Sequence, residues 1–173
     1  MLTRMNTRTS RLALLAAVAL LLAGCPYGSE FPLGSPQQAV RDDALLGSWK
    51  PTAESEEDFL LTFRSEGGAK LSVLAESPGE APARYPAFVA ELGGRRFLNV
   101  RDTEDSGRWY FANYLFHQGR LRLRLVDDEL VGERTFPSAE ELAAFLLANL
   151  DDPRLYGEQE AEEWDWELER QGP

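Results

Sequence analysis

Arg120-Leu121-Arg122-Leu123-Arg124-Leu125-Val126 alternates arginine with leucine without interruption before it reaches valine. Successive side chains of an extended chain point to opposite faces, so Leu121, Leu123 and Leu125 share one side and Arg120, Arg122 and Arg124 the other. A period of two with one apolar and one charged face is the pattern of an antiparallel sheet wetted on one side. Immediately upstream, Gln118-Gly119 is a tight-turn signal. Before it, Trp109 to Gln118 is the most aromatic stretch of the chain, with Trp109, Tyr110, Phe111, Tyr114 and Phe116. The two runs read as one hairpin.

Further hairpins extend upstream. Arg84 to Leu92 and Arg95 to Arg101 are joined by Gly93-Gly94, and Phe59 to Ser65 is joined to Ala69 to Glu76 across Glu66-Gly67-Gly68. In the second of these pairs Leu71, Val73 and Ala75 fall on one face and Lys70, Ser72 and Leu74 on the other. Ser77 to Ala83, rich in proline and glycine, and Asp102 to Gly107 read as loops. Gly47-Ser48-Trp49, closed by Lys50 and Pro51, reads as the first strand, after a short helical turn over Ala39 to Leu46. Consecutive hairpins predict a mainly β fold, an antiparallel meander of about eight strands rolled into a barrel or a strongly curved sheet.

Downstream of Val126 the period changes. Ser138 followed by Glu141 fits a capping box. Leu142, Phe145, Leu146 and Leu150 recur at helical spacing, so Ser138 to Leu150 reads as one amphipathic helix near the C-terminus, stopped by Asp151-Asp152-Pro153 and expected to lie across an open edge or end of the sheet. Trp164, Trp166 and Leu168 then alternate with Glu163, Asp165, Glu167 and Glu169, which predicts a last strand.

The N-terminus has a different character. Arg4, Arg8 and Arg11 precede an apolar run from Leu12 to Leu22 that is short for a membrane span and placed where secretory signals lie. Residues 1–24 read as a signal peptide, residues 25–38 as a flexible tether broken by Pro26, Gly28, Pro32, Gly34 and Pro36, and residues 39–173 as a single β-rich domain. Such a tether reaches on the order of 30 Å when extended. The chain carries 18 basic and 29 acidic residues. Loss of residues 1–24 removes three arginines and no acid, leaving 15 against 29 and a charge of −14. That balance argues against nucleic acid and against electrostatic adhesion to anionic lipid.

Leu22-Ala23-Gly24-Cys25 resembles the lipobox of bacterial lipoproteins. The resemblance implies cleavage between Gly24 and Cys25, acylation of the Cys25 sulfur and attachment to a lipid bilayer through those acyl chains. Two or more chains hold a protein stably, at roughly 0.8 kcal/mol per buried CH₂. It implies a lipid-anchored protein of the cell envelope, and Pro26 after the cysteine favours the outer over the inner membrane. Gly47-Ser48-Trp49 after a short turn is similar to the start of lipocalin-like (calycin) barrels, in which the tryptophan plugs the closed end of the barrel. That makes Trp49 a barrel-end plug and implies a small apolar ligand. The chain has no Thr-Asp-Tyr in its later loops, and its sequence alone assigns no final-strand arginine. The layout as a whole also looks like small uncharacterised envelope lipoproteins.

Motifs for chemistry are sparse. Cys25 is the one cysteine and His117 the one histidine, so neither a cysteine-based zinc site nor a multi-histidine metal centre is expected. No cofactor fingerprint occurs, and Gly67-Gly68 and Gly93-Gly94 are explained by turn chemistry. The acidic groups Asp127-Asp128-Glu129 and Asp151-Asp152 lack a calcium-loop pattern. Three guanidinium groups at Arg120, Arg122 and Arg124 suit a carboxylate or phosphate. The plainer reading pairs them with acids of the last strand. Three functions follow: first a non-catalytic envelope module that interacts with other proteins or with cell-wall components, then a lipocalin-like carrier of a small apolar ligand, and, more distantly, a carboxylate-based hydrolase.

Overall fold

The computed structural model describes residues 26–103, 106–157 and 165–172. Eight strands form a closed barrel: β1 (Gly47–Pro51), β2 (Leu60–Ser65), β3 (Lys70–Glu76), β4 (Ala83–Leu92), β5 (Arg95–Arg101), β6 (Trp109–His117), β7 (Arg120–Leu125) and β8 (Trp166–Arg170). Each pairs antiparallel with its neighbour in sequence, and β8 returns to β1 through Trp49↔Arg170, Lys50↔Glu169 and Pro51↔Leu168. Closure leaves the meander without a free edge. Of the last-strand run, Glu163 and Trp164 lie outside the described residues.

Alternation decides what fills the barrel. Trp49, Phe63, Leu71, Val73, Val89, Leu98, Leu121, Leu123 and Leu168 point inward and are almost wholly buried. Leu121 and Leu123 of the arginine–leucine run are in this interior, as their period requires.

A second core lies outside the wall. The helix α1 (Asp128–Val131), which sequence periodicity does not reveal, follows β7 directly. The helix α2 (Ala139–Ala148) is capped by Ser138, whose hydroxyl accepts the Glu141 N–H at 3.3 Å. Leu142, Leu146 and Leu150 pack against Phe97 and Phe111, which face outward from β5 and β6, and against Leu155 and Tyr156 of the 3-10 turn Pro153–Tyr156. The helix therefore covers the outer wall; a closed barrel offers it no open edge.

The segment expected to be a flexible tether is a docked strap. Pro26 bridges Asp127, Ser29 and Trp109 exchange backbone bonds of 2.9 and 2.8 Å, and the Val40 N–H reaches Val89 O at 2.8 Å. Leu33 is 1% exposed, and its N–H donates to the Asn99 side chain at 2.8 Å. Proline and glycine do exclude a regular ladder here. They do not exclude isolated bridges, and Tyr27 and Leu33 have apolar surface to bury against the wall.

Two stability predictions follow from the packing. Leu33→Ala is expected to destabilise the fold by about 2–5 kcal/mol, as deletion of a buried leucine does, whereas a free tether would leave the urea midpoint unchanged. Gly47 has φ +119°, and a Cβ there would lie 2.7 Å from Arg170 Nη1. Gly47→Ala is therefore expected to cost about 1–3 kcal/mol in the same measurement.

Candidate functional site

The two ends of the barrel differ. At one end Trp49 is 1% exposed, and its indole N–H donates to Leu45 O at 2.8 Å. The 3-10 turn Asp43–Leu45 lies beneath it. The Arg170 guanidinium stacks over the Trp49 ring at 4.4 Å and donates to Leu46 O and Ala44 O at 2.5 and 2.6 Å. Arg170 is the last residue of β8, one residue beyond the alternation of tryptophan, leucine and acids that marks this strand in the sequence. Asp42 completes the seal. Its carboxylate caps the turn at Ala44 N, accepts the Tyr114 hydroxyl at 2.7 Å and meets Arg96 at 2.6 Å. Burial and the Asp42 contact push the Tyr114 hydroxyl far above its ordinary pKa. Phe116 packs against Trp49 and Tyr114, with ring centroids 5.8 and 6.0 Å away.

The opposite half holds a cavity of about 390 Å³, open at the rim. Its walls are Leu61, Phe63, Val73, Leu98, Val100, Leu123 and Leu125, with Phe59, Tyr85, Tyr110 and Trp166 nearer the mouth. Ala75 of β3 and Ala112 of β6 are among its small lining residues, and on β6 the inward positions change from Ala112 here to Tyr114 and Phe116 toward the closed end. Pro26 of the strap is part of the lining. Polar groups are few: Ser77, the two tyrosines and Asp102. Asp102 is 2% exposed and accepts the Ser106 N–H and hydroxyl at 2.9 and 2.7 Å. Glu57 lies behind Trp166. Burial raises its pKa, the neighbouring indole N–H opposes the rise, and Asp165 adds to it. Glu57 Oε2 and Trp166 Nε1 are both buried and neither is in a hydrogen bond of ordinary geometry.

The arginine stripe is divided among other tasks. Arg120 and Arg122 reach Glu167 at 2.6 and 2.9 Å, and Arg120 also approaches Glu169 at 3.4 Å. Cross-strand pairing with the last strand accounts for these two. Arg124 is 5% exposed and lies 3.8 Å over the Tyr156 ring in the outer core. The three guanidinium groups do not converge on one anion. Among the described residues no cluster of three or more histidines, cysteines or acids is placed to hold a metal. His117 is exposed at the β6–β7 turn. Gly24 and Cys25 lie outside the described residues. The buried acids serve turns and caps: Asp42 as above, Asp102 at Ser106, and Asp127 as N-cap of α1, accepting the Glu129 N–H at 2.8 Å.

No family model, curated protein or solved structure matches this chain.

The Arg120–Glu167–Arg122 group makes the fold sensitive to acid. Hydrogen bonding to Arg120 and then Arg122 holds the Glu167 carboxyl below its ordinary range. Its folded pKa is depressed, so the stabilisation is full above about pH 4.3 and is lost as pH falls through the lower folded value. Glu57 and Asp127, raised by burial, have the opposite sign and oppose folding once ionised. Glu167→Gln is expected to lower stability at neutral pH by about 0–1 kcal/mol for each pair lost. Urea midpoints of variant and wild type should converge as the pH is lowered; a constant gap would exclude this origin.

Proposed function

We propose that the protein is a lipid-anchored carrier that takes a small apolar ligand into the open half of its barrel. The observation that carries this reading is the cavity: about 390 Å³, walled by aliphatic and aromatic side chains and open at one end. Ligand pockets have volumes of about 300–1,000 Å³ and are mostly apolar with a few placed polar groups. This cavity fits the small end of that range. An interior filled throughout by tryptophan and phenylalanine would have opposed a carrier; here Phe59, Phe63 and Trp166 line the cavity and leave about 390 Å³ between the walls. The carrier thereby moves ahead of a protein-binding module with no cavity.

The sealed end supports the lipocalin-like resemblance. Gly47-Ser48-Trp49 supplies the plug, and Arg170 stacks on it from the last strand. In this reading Cys25 is the anchor, the protein belongs to the cell envelope, and its chemistry is binding without catalysis. Chain continuity places Cys25 one peptide bond from Pro26, and Pro26 lines the cavity. Acyl chains on Cys25 would hold the mouth next to the bilayer surface, a short path for an apolar ligand.

Titration calorimetry of the full chain in lipid nanodiscs with n-alkanols of increasing length tests this reading. Affinity is expected to rise about fourfold per methylene, from about 0.8 kcal/mol each, until the cavity is full. Ala75→Trp places an indole in the cavity and is expected to lower alkanol affinity at least about tenfold while the protein stays folded. Equal heats for wild type, Ala75→Trp and empty nanodiscs would exclude the carrier.

A further inference from the structure

Within the carrier reading, on which this inference rests, we propose that the cavity selects an apolar molecule with an uncharged or cationic head and rejects a carboxylate. Among the described residues, Asp102 is the one residue of formal charge in the lining, and it is buried. No described lysine, arginine or histidine lines the cavity. Two more carboxylates stand behind the wall: the Asp165 carboxylate accepts the Leu125 N–H at 2.5 Å, and Glu57 is adjacent to Trp166. Leu125 and Trp166 both line the cavity.

The nearest cations on the strands point the other way. Arg101 precedes Asp102, but its guanidinium lies over Trp109 on the outer face, 5.7 Å from the ring centre. Arg124 precedes Leu125 and stacks on Tyr156 in the outer core. Alternation enforces both placements, since Val100 and Leu125 occupy the inward positions. An anionic head drawn into this hole would leave water, find no cation and face Asp102 across a medium of low dielectric constant. A hydroxyl avoids the repulsion, and an ammonium finds an opposite charge.

The test compares decanol, decylamine and decanoate at neutral pH on the full chain in nanodiscs, with Ala75→Trp as the blocked-cavity reference for partitioning into lipid. Decanol and decylamine are expected to bind at least about tenfold more tightly than decanoate, a difference of about 1.4 kcal/mol. Asp102→Asn retains the size of the side chain and an acceptor for Ser106, and should reduce the decanoate deficit severalfold. Decanoate binding as tightly as decanol would overturn the charge selection and leave the carrier intact. A deficit unchanged in Asp102→Asn would overturn the role given to Asp102. Failure of all three probes to bind beyond the blocked variant would overturn the carrier reading and this inference with it.

Discussion

The pairing of the last strand with the first is the constraint on which the rest of the molecule depends. Without β8 beside β1 the meander would be an open sheet with two unpaired edges. The register of that pairing does more than close a ring. Trp49↔Arg170 puts a guanidinium over the indole that seals the barrel, and Arg122↔Glu167 on the other side of β8 aligns acids with the arginines of β7. A slip of one residue would send Leu168 outward and Glu167 into the core. Burial of Leu168, which is 0% exposed, therefore fixes both contacts.

The barrel is asymmetric along its axis, and that asymmetry leaves one half with a cavity. At the sealed end Trp49, Tyr114 and Phe116 occupy the space, and Asp42 satisfies the one hydroxyl that burial there would leave exposed to an apolar medium. Toward the mouth, aliphatic and aromatic side chains line the walls with Ala75, Ala81 and Ala112 among them, and a cavity of about 390 Å³ remains between them. A void of that size would normally be a defect. Lined by apolar side chains and open to the outside, it is the candidate site on which the proposed carrier function rests. The same alternation that directs leucines inward keeps Arg101, Arg120, Arg122 and Arg124 out of it.

Outside the wall, α2, the 3-10 turn at Pro153–Tyr156 and the strap bury Phe97, Phe111, Leu33 and Asn99. The strands beneath them are covered on both faces. The strap also brings Pro26, the start of the described chain, to the lining of the cavity. Neither consequence is a property of the strap in isolation; both come from where it docks.

The sequence by itself determined the β meander, the hairpin turns, the helix near the C-terminus and the inward face of β7, because these are local: alternation, turn residues and caps are set by neighbours a few positions apart. It also allowed the pairing of Arg120 and Arg122 with acids of the last strand, since opposite charges alternate on both. It left closed barrel and curved sheet undecided, because closure depends on two strands over a hundred residues apart. Arg170 carried no signal as a partner of Trp49 for the same reason. Pro26 to Pro36 looked like a tether because proline and glycine report on regular structure and not on docking. The cavity, the buried Asp102 in its lining and the outward turn of the nearby cations belong to the tertiary structure alone. They depend on which small and large side chains meet across the barrel, and only the closed register decides that.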